Sequence, residues 1–332
     1  MKKLLATTCL TIGVLLSFGG AKAADCGSVS IVSLSWASSE LLAYVDEFIL
    51  KNGYGCDASV VVGDTVPTQT SMAERGQPDI VSESWTSTRP PVTQQAIKDG
   101  KLVVAGKVFT DGGVQGIYVP KFLIEKHPDI KTIADALKHP ELFPDPQDSS
   151  KAAWYAGAQG WGATIFATQY YKAYGAKDAG FNLIDSGSAA AHDGALINAY
   201  NKGRGWIGYY WDPTALLGKY DMVRLSAGVP YDAAEWARCN EVESCPDPKP
   251  NEWPTDEVGT VVTKAFAERG GSAYEFLTKR SWPNKVVSEM LAWMTDNQAT
   301  GADAAQQFLK AYEPVWTAWV PADVAAKVKA AR

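Results

Sequence analysis

The stretch SVSIVSLSWASSELLAYVDEFILKNG, Ser28 to Gly53, decides how the rest of the chain is read. Its first seven residues alternate toward β-branched side chains and form a strand pattern that ends just before Trp36. Leu41, Leu42, Val45, Phe48 and Ile49 then recur at helical spacing, and Asn52-Gly53 is expected to stop that helix. The pattern repeats downstream, with a strand at Ala58–Val62, a helix around Gln69–Arg75 and a strand at Pro78–Ser82. Strands alternating with helices imply a mainly parallel sheet covered on both faces, an α/β fold.

Further along, Leu102–Phe109, Gly112-Gly113 and Gly116–Val119 read as two strands separated by a glycine break, where one lobe hands over to another. Helices are expected at Thr132–Leu137, Ile165–Tyr174 and Gly194–Lys202, and strands at Asn182–Ile184 and Trp206–Tyr210. A strand at Met222–Leu225 is taken as the return crossing, and everything from Glu257 onward has a helical period. The expected organisation is therefore a discontinuous first lobe, 24–112 with 222–332, and a second lobe, 113–221.

The chain begins with Met1-Lys2-Lys3, an apolar run from Leu4 to Phe18, and Gly19-Gly20-Ala21-Lys22-Ala23, the pattern of a signal peptide (1–23) cleaved after Ala23. The apolar run is shorter than the roughly 20 residues that span a bilayer. A soluble, monomeric periplasmic protein is the expectation. The formal charge of −6 and the lack of a basic run argue against nucleic-acid binding. Cys26, Cys56, Cys239 and Cys245 remain after the leader, an even number for an oxidising compartment. Three pairings are open; Cys26 with Cys56 and Cys239 with Cys245 are preferred. A zinc site has little support, since no CxxC spacing occurs and His is scarce. No metal or cofactor is expected.

Twelve tryptophans exceed what a core of this size usually needs. Trp236, Trp253, Trp282, Trp293, Trp316 and Trp319 lie in loops or helical stripes and read as packing residues. Trp36, Trp85, Trp161 and Trp211 each follow a strand or open a helix, and ligands of open α/β sheets bind at the carboxyl ends of strands. Four such rings suit a quaternary ammonium, which has no hydrogen to donate and is held by diffuse charge attraction and apolar contact. Gly160-Trp161-Gly162-Ala163-Thr164 opens a helix, and the backbone N–H groups of Gly162 and Ala163 form a site for a carboxylate. Arg89, four residues beyond Trp85, is expected to clamp the same carboxylate, and Tyr210 to offer a hydroxyl or ring edge.

These residues resemble a known family, the substrate-binding components of glycine betaine, proline betaine and choline ABC importers. The motifs that carry the resemblance are Ser84-Trp85-Thr86, Gln115-Gly116-Ile117-Tyr118, Ile133-Ala134-Asp135-Ala136-Leu137 with Pro140-Glu141-Leu142-Phe143, Gly160-Trp161-Gly162, and Tyr209-Tyr210-Trp211-Asp212-Pro213-Thr214. They follow the family's order across most of Ser28–Leu225. The resemblance implies a two-lobed, type II-like periplasmic binding fold that closes on a ligand in the interlobe cleft and delivers it to a membrane permease. It also implies that Trp85, Trp161 and Trp211 form the aromatic box. Arg89 and Ala163 depart from the pattern, standing where some members carry His and Cys.

The leading expectation is capture, without catalysis, of a zwitterion such as glycine betaine, proline betaine, carnitine or dimethylsulfoniopropionate. Choline or trimethylamine N-oxide is the alternative, with Glu40, Glu83 or Asp212 as the acidic partner. A periplasmic hydrolase is the competing class. It would have to draw on His127, His139 or His192, and no Gly-x-Ser-x-Gly elbow accompanies them.

Overall fold

The computed structural model describes residues 26–332, so the expected leader lies outside the described residues. Ten strands form two sheets. The first holds β1 (Ser28–Leu34), β2 (Asp57–Gly63), β3 (Ile80–Trp85), β4 (Leu102–Lys107) and β10 (Val258–Thr263), in the order β2-β1-β3-β10-β4. The second holds β5 (Val114–Pro120), β6 (Ala152–Gly157), β7 (Phe181–Asp185), β8 (Gly208–Asp212) and β9 (Met222–Arg224), in the order β7-β6-β8-β5-β9. Each sheet is parallel apart from one strand, β10 in the first and β5 in the second. Both exceptions are the first strand made after the chain enters that lobe. With helices packed against them, the sheets build the expected two-lobed fold.

The two crossing segments run side by side. Gly113 and Asp256 exchange backbone hydrogen bonds of 3.0 Å, N–H to O in both directions. A side chain at Gly113 would have its Cβ 2.1 Å from the Trp85 ring, so only glycine lets this crossing pass the end of β3.

Four local expectations need correction. The helix after β1 runs over Ala37–Tyr54 and ends at Gly55, in the left-handed region at φ 76°, not at Asn52-Gly53. Gly53 instead lets the C-terminal helix approach, since a Cβ there would lie 2.7 Å from Val324. Met222–Arg224 pairs with β5 and so belongs to the second sheet. The following segment stays with that lobe, because Trp236 and Trp253 pack on Phe166, and the chain recrosses at Asp256, not at residue 222.

Two strands carried no recognised pattern. Val258–Thr263 is a strand inside the region whose period is helical, and Ala152–Gly157, central in the second sheet, is a strand that no sequence pattern marks. Every residue of both is buried, so neither shows the alternation that marks a half-exposed strand. The disulfides join Cys26 to Cys56 and Cys239 to Cys245, with Cα separations of 5.2 and 5.3 Å, as preferred from the sequence.

Candidate ligand-binding site

A cavity with about 370 Å³ of empty volume lies between the lobes. The first lobe contributes Trp36, Glu83 and Trp85 to its wall, and the second contributes Trp161, Tyr209 and Trp211. Thr65, Gln69, Thr88, Gln115, Gly162 and Ala163 complete the lining. All four expected tryptophans therefore meet. Trp36 caps the helix after β1, Trp85 ends β3, Trp161 caps the Gly162–Ala173 helix after β6, and Trp211 lies near the end of β8. The carboxyl-edge rule brought them to one place.

Trp161 is the hub of the aromatic wall. Its ring meets Trp36 at 6.0 Å and 86°, Trp211 at 5.2 Å and 88°, and Tyr209 at 6.3 Å and 72° between centroids and planes. Tyr209 and Trp211 stack at 5.6 Å. As the N-cap of its helix, Trp161 makes no side-chain bond to the first turn, which leaves the opening N–H groups, those of Gly162 and Ala163 included, for a ligand or solvent. They carry the positive end of the helix dipole to the cavity.

The first lobe supplies the charge. The Oε1 of Glu83 accepts hydrogen bonds from Trp85 Nε1 (2.7 Å), Trp36 Nε1 (2.8 Å) and Ser38 Oγ (3.1 Å). Its carboxyl is wholly buried, and burial raises its pKa against these donors and the Arg280 charge. Of the acidic residues considered for a choline-type ligand, Glu83 alone lines the cavity: Glu40 accepts from the Gly301 N–H at 2.7 Å, and Asp212 is outside the lining.

The lobes touch around this space. Trp161 Nε1 donates to Ser35 Oγ across the cleft at 2.9 Å, and the Ser35 hydroxyl donates to Asp64. The Val66 N–H donates to the Gly160 carbonyl at 3.1 Å. A Cβ at Gly162 would lie 2.1 Å from the Thr88 carbonyl oxygen, so the opposing backbones are in contact there.

Two expected site residues lie elsewhere. Arg89 is 7% exposed and turns back on the end of β3, with Nε donating to Ser84 Oγ (2.9 Å) and Nη2 to the Ser84 carbonyl (3.2 Å). It lines a neighbouring cleft with Pro90, Pro91 and Phe166. Burial lowers its pKa to about 10, and it remains a cation at neutral pH. Tyr210 faces away because side chains alternate along β8: Tyr209 and Trp211 share the cavity face, while the Tyr210 hydroxyl donates to Asp193 at 2.8 Å. That alternation was the signal by which Tyr209 should have been chosen. Its hydroxyl donates to Gln115 Oε1 at 2.6 Å, and Gln115 Nε2 donates to Asp256 at the crossing.

His192, the best imidazole for acid–base work, is fully buried behind Trp161. Its Nε2 is 2.8 Å from the Tyr209 carbonyl and so carries the proton, while Nδ1 accepts from the Ser186 hydroxyl at 2.8 Å. Burial pulls its pKa down to about 4, which keeps it neutral. It supports an aromatic wall and does not face the cavity. The one group of three possible metal ligands among the described residues is Cys239, Cys245 and Asp247, and its two sulfurs are bonded to each other.

Two lobes around an aromatic cavity, joined by two crossing segments, define a two-lobed solute-binding protein. The chain belongs to the family of substrate-binding domains of ABC-type glycine betaine transport systems (OpuAC), whose profile matches residues 27–311. Proteins of this family serve transport and are not enzymes.

Solved structures agree in fold. The glycine betaine/L-proline-binding protein ProX from Borrelia burgdorferi matches with a TM-score of 0.68 and 17% identity, over 91% of this chain and 99% of its own. Lactococcal OpuAC, closed on glycine betaine, matches with a TM-score of 0.66 and 20% identity, over 89% and 100%. An ABC-transporter choline-binding protein in complex with choline matches with a TM-score of 0.69 and 17% identity, over 92% and 98%. No curated protein matches the chain by sequence.

Proposed function

We propose that this protein captures a quaternary-ammonium compatible solute of the betaine kind in the periplasm and presents it, as a monomer, to the permease of an ABC importer. The methylated cation lies against Trp36, Trp85, Trp161 and Trp211, each desolvated cation–π contact contributing roughly 0.5–2 kcal/mol. The carboxylate lies on the N–H groups of Gly162 and Ala163. The observation that carries this reading is one small cavity whose walls are indole rings from both lobes and whose rim is an uncapped helix start. Closure of the lobes around the ligand is the state a permease reads.

A second reading, choline or trimethylamine N-oxide, is favoured by one observation: the acidic group in the cavity is Glu83, and the cation expected to clamp a carboxylate, Arg89, is outside it. Calorimetric titration of the purified protein decides between them. Glycine betaine, proline betaine, carnitine and dimethylsulfoniopropionate are compared with choline and trimethylamine N-oxide. A betaine is expected to bind tighter than choline by about tenfold or more, the worth of one charge-assisted contact of about 1.4 kcal/mol. Absence of heat with all six at millimolar concentration would reject the reading.

A further inference from the structure

Among the described residues, Glu83 is the acidic residue that lines the cavity. It stands on the central part of the first sheet and is fully buried. One carboxylate oxygen is saturated by three donors, two of them the indole N–H groups of the first lobe's cavity tryptophans. The other, Oε2, is equally buried and has no hydrogen-bond partner among the described residues. A buried carboxylate oxygen left without a partner is destabilising, and native structures rarely carry one without a use for it.

Arg280, the cation whose charge acts on Glu83, does not supply the missing partner. Arg280 faces Asp46, with Nε 2.9 Å from Oδ1, and its Nη2 donates to the Ser82 carbonyl (2.9 Å) and Thr260 Oγ1 (2.5 Å). It acts on Glu83 only through space. Across the cavity stands Tyr209, neutral at any working pH, with Asp256 beyond it. Among the described residues no cation hydrogen-bonds to Oε2.

We propose that Glu83 is the countercharge of the bound onium head, offering Oε2 to it while Oε1 holds Trp36 and Trp85 in position. The inference rests on the cavity being an onium site, and it adds what the ring box alone does not provide. Aromatic faces attract a trimethylammonium group, yet they also accept the neutral tert-butyl group of the same shape, because much of the contact is apolar. A carboxylate accepts only the cation. Glu83 thus makes the site selective for a permanent positive charge, and it orients a zwitterion with its carboxylate away, toward Gly162 and Ala163.

The same arrangement makes binding sensitive to pH. Burial raises the pKa of Glu83 in the free protein, and a cation beside Oε2 lowers it. Affinity is therefore full above the raised pKa and declines as pH falls through it, and binding in that interval releases a proton. Asp46, raised to about 6, is a second buried carboxyl, but it faces Arg280 and does not line the cavity, so the ligand's charge does not move it directly.

The test measures dissociation constants of the wild type and of Glu83→Gln for two pairs: glycine betaine with 3,3-dimethylbutanoate, and choline with 3,3-dimethylbutan-1-ol. Gln keeps an oxygen to accept from the indoles, and melting curves check the fold. The wild type is expected to prefer each onium compound over its carbon isostere by about 100-fold, and Glu83→Gln by less than about tenfold. Calorimetry of the wild type in two buffers of different ionisation enthalpy, repeated across the pH range in which the fold is stable, should show proton release on the acid side that fades as pH rises and is absent in the variant.

If the wild type binds no onium compound, the reading of the cavity itself fails. If it binds one, while the variant keeps the same affinity and isostere ratio and no proton is released, Glu83 only braces the two indoles. The countercharge is then rejected and the onium site stands. Should the variant fail to fold, the wild-type proton count decides: release that fades as pH rises supports the proposal, and none at any pH in the stable range overturns it.

Discussion

In the first lobe Trp36 and Trp85 arrive from the ends of different strands and both donate to one oxygen of Glu83, whereas in the second Trp161 and Trp211 are held by other rings. Trp211 stacks on Tyr209 and Tyr210, and Trp161 meets Trp211, Tyr209 and the neutral His192 edge-on. The polar arrangement costs the desolvation of a carboxylate, but it brings a negative charge to the cavity wall. Ring packing brings no charge, and each aromatic pair contributes about 0.5–1.5 kcal/mol beyond its buried area. One wall thus supplies electrostatics and the other supplies shape. A ligand that is both methylated and charged needs both, so the lobes must meet before it is held.

The point of meeting gives the strongest test. Gly162→Ala places a Cβ against the Thr88 carbonyl, and that contact exists only when the lobes are together. Ligand affinity should fall by about 2–3 kcal/mol, roughly 30- to 150-fold, while ligand-free melting stays close to wild type. Calorimetry and thermal melting check the two halves of this statement. If affinity is unchanged, the lobes do not close along Gly162 and Thr88, and the complementarity of the two walls is lost with it.

The ring-held wall depends on an uncharged imidazole. Because the folded protein holds the pKa of His192 at about 4, the unfolded chain binds more protons between that value and the ordinary 6.5. The stability this group contributes is present above about pH 6.5 and is lost as pH falls toward 4, by as much as about 2–3 kcal/mol. Denaturant unfolding of wild type and His192→Gln at pH 4.5 and 7 isolates that term, since Glu83, Asp46 and Asp193, whose raised pKa values act in the opposite direction, are common to both. An equal stability difference at the two pH values would show that the imidazole is not held neutral.

Paired substitutions compare the walls directly. Trp85→Phe removes a donor to Glu83, whereas Trp211→Phe removes ring area from a stack. The first should destabilise the ligand-free protein by about 1–2 kcal/mol more than the second, measured by urea unfolding. Equal losses would mean that the carboxylate does not hold its wall. Ser35→Ala, which removes the acceptor of the Trp161 indole across the cleft, should weaken ligand binding by about 0.5–1 kcal/mol, a two- to fivefold change in the dissociation constant. The smallest effect is expected from Arg89→Ala: within about twofold in affinity, with the loss seen instead as about 1 kcal/mol of stability, because the guanidinium bonds to Ser84.

Much of this was legible along the chain. The alternation at Ser28–Leu34, the helical spacing after it and the glycine break at Gly112-Gly113 led to two α/β lobes. The position of Trp36, Trp85 and Trp211 at strand ends, and of Trp161 at a glycine-flanked helix start, pointed to one cavity, because the carboxyl edge of a parallel sheet faces a single cleft. Ala152–Gly157 and Val258–Thr263 escaped because strands buried on both faces have no period to detect. Arg89 was placed by its distance from Trp85 in sequence, which says nothing about where a long side chain turns. Tyr210 was chosen over Tyr209 although the period of two that puts Trp211 in the cavity brings Tyr209 with it.

By itself, the sequence determined the class of fold, the family and the candidate tryptophans of the box, since each depends on order and spacing along the chain. Only the tertiary structure decided that the return crossing is at Asp256, that Arg89 is turned aside, and that Glu83 joins Trp36 and Trp85 beneath the cavity. Those facts depend on which side chains from distant strands share one small volume. That is settled by the closure of two sheets on each other, and no local pattern records it.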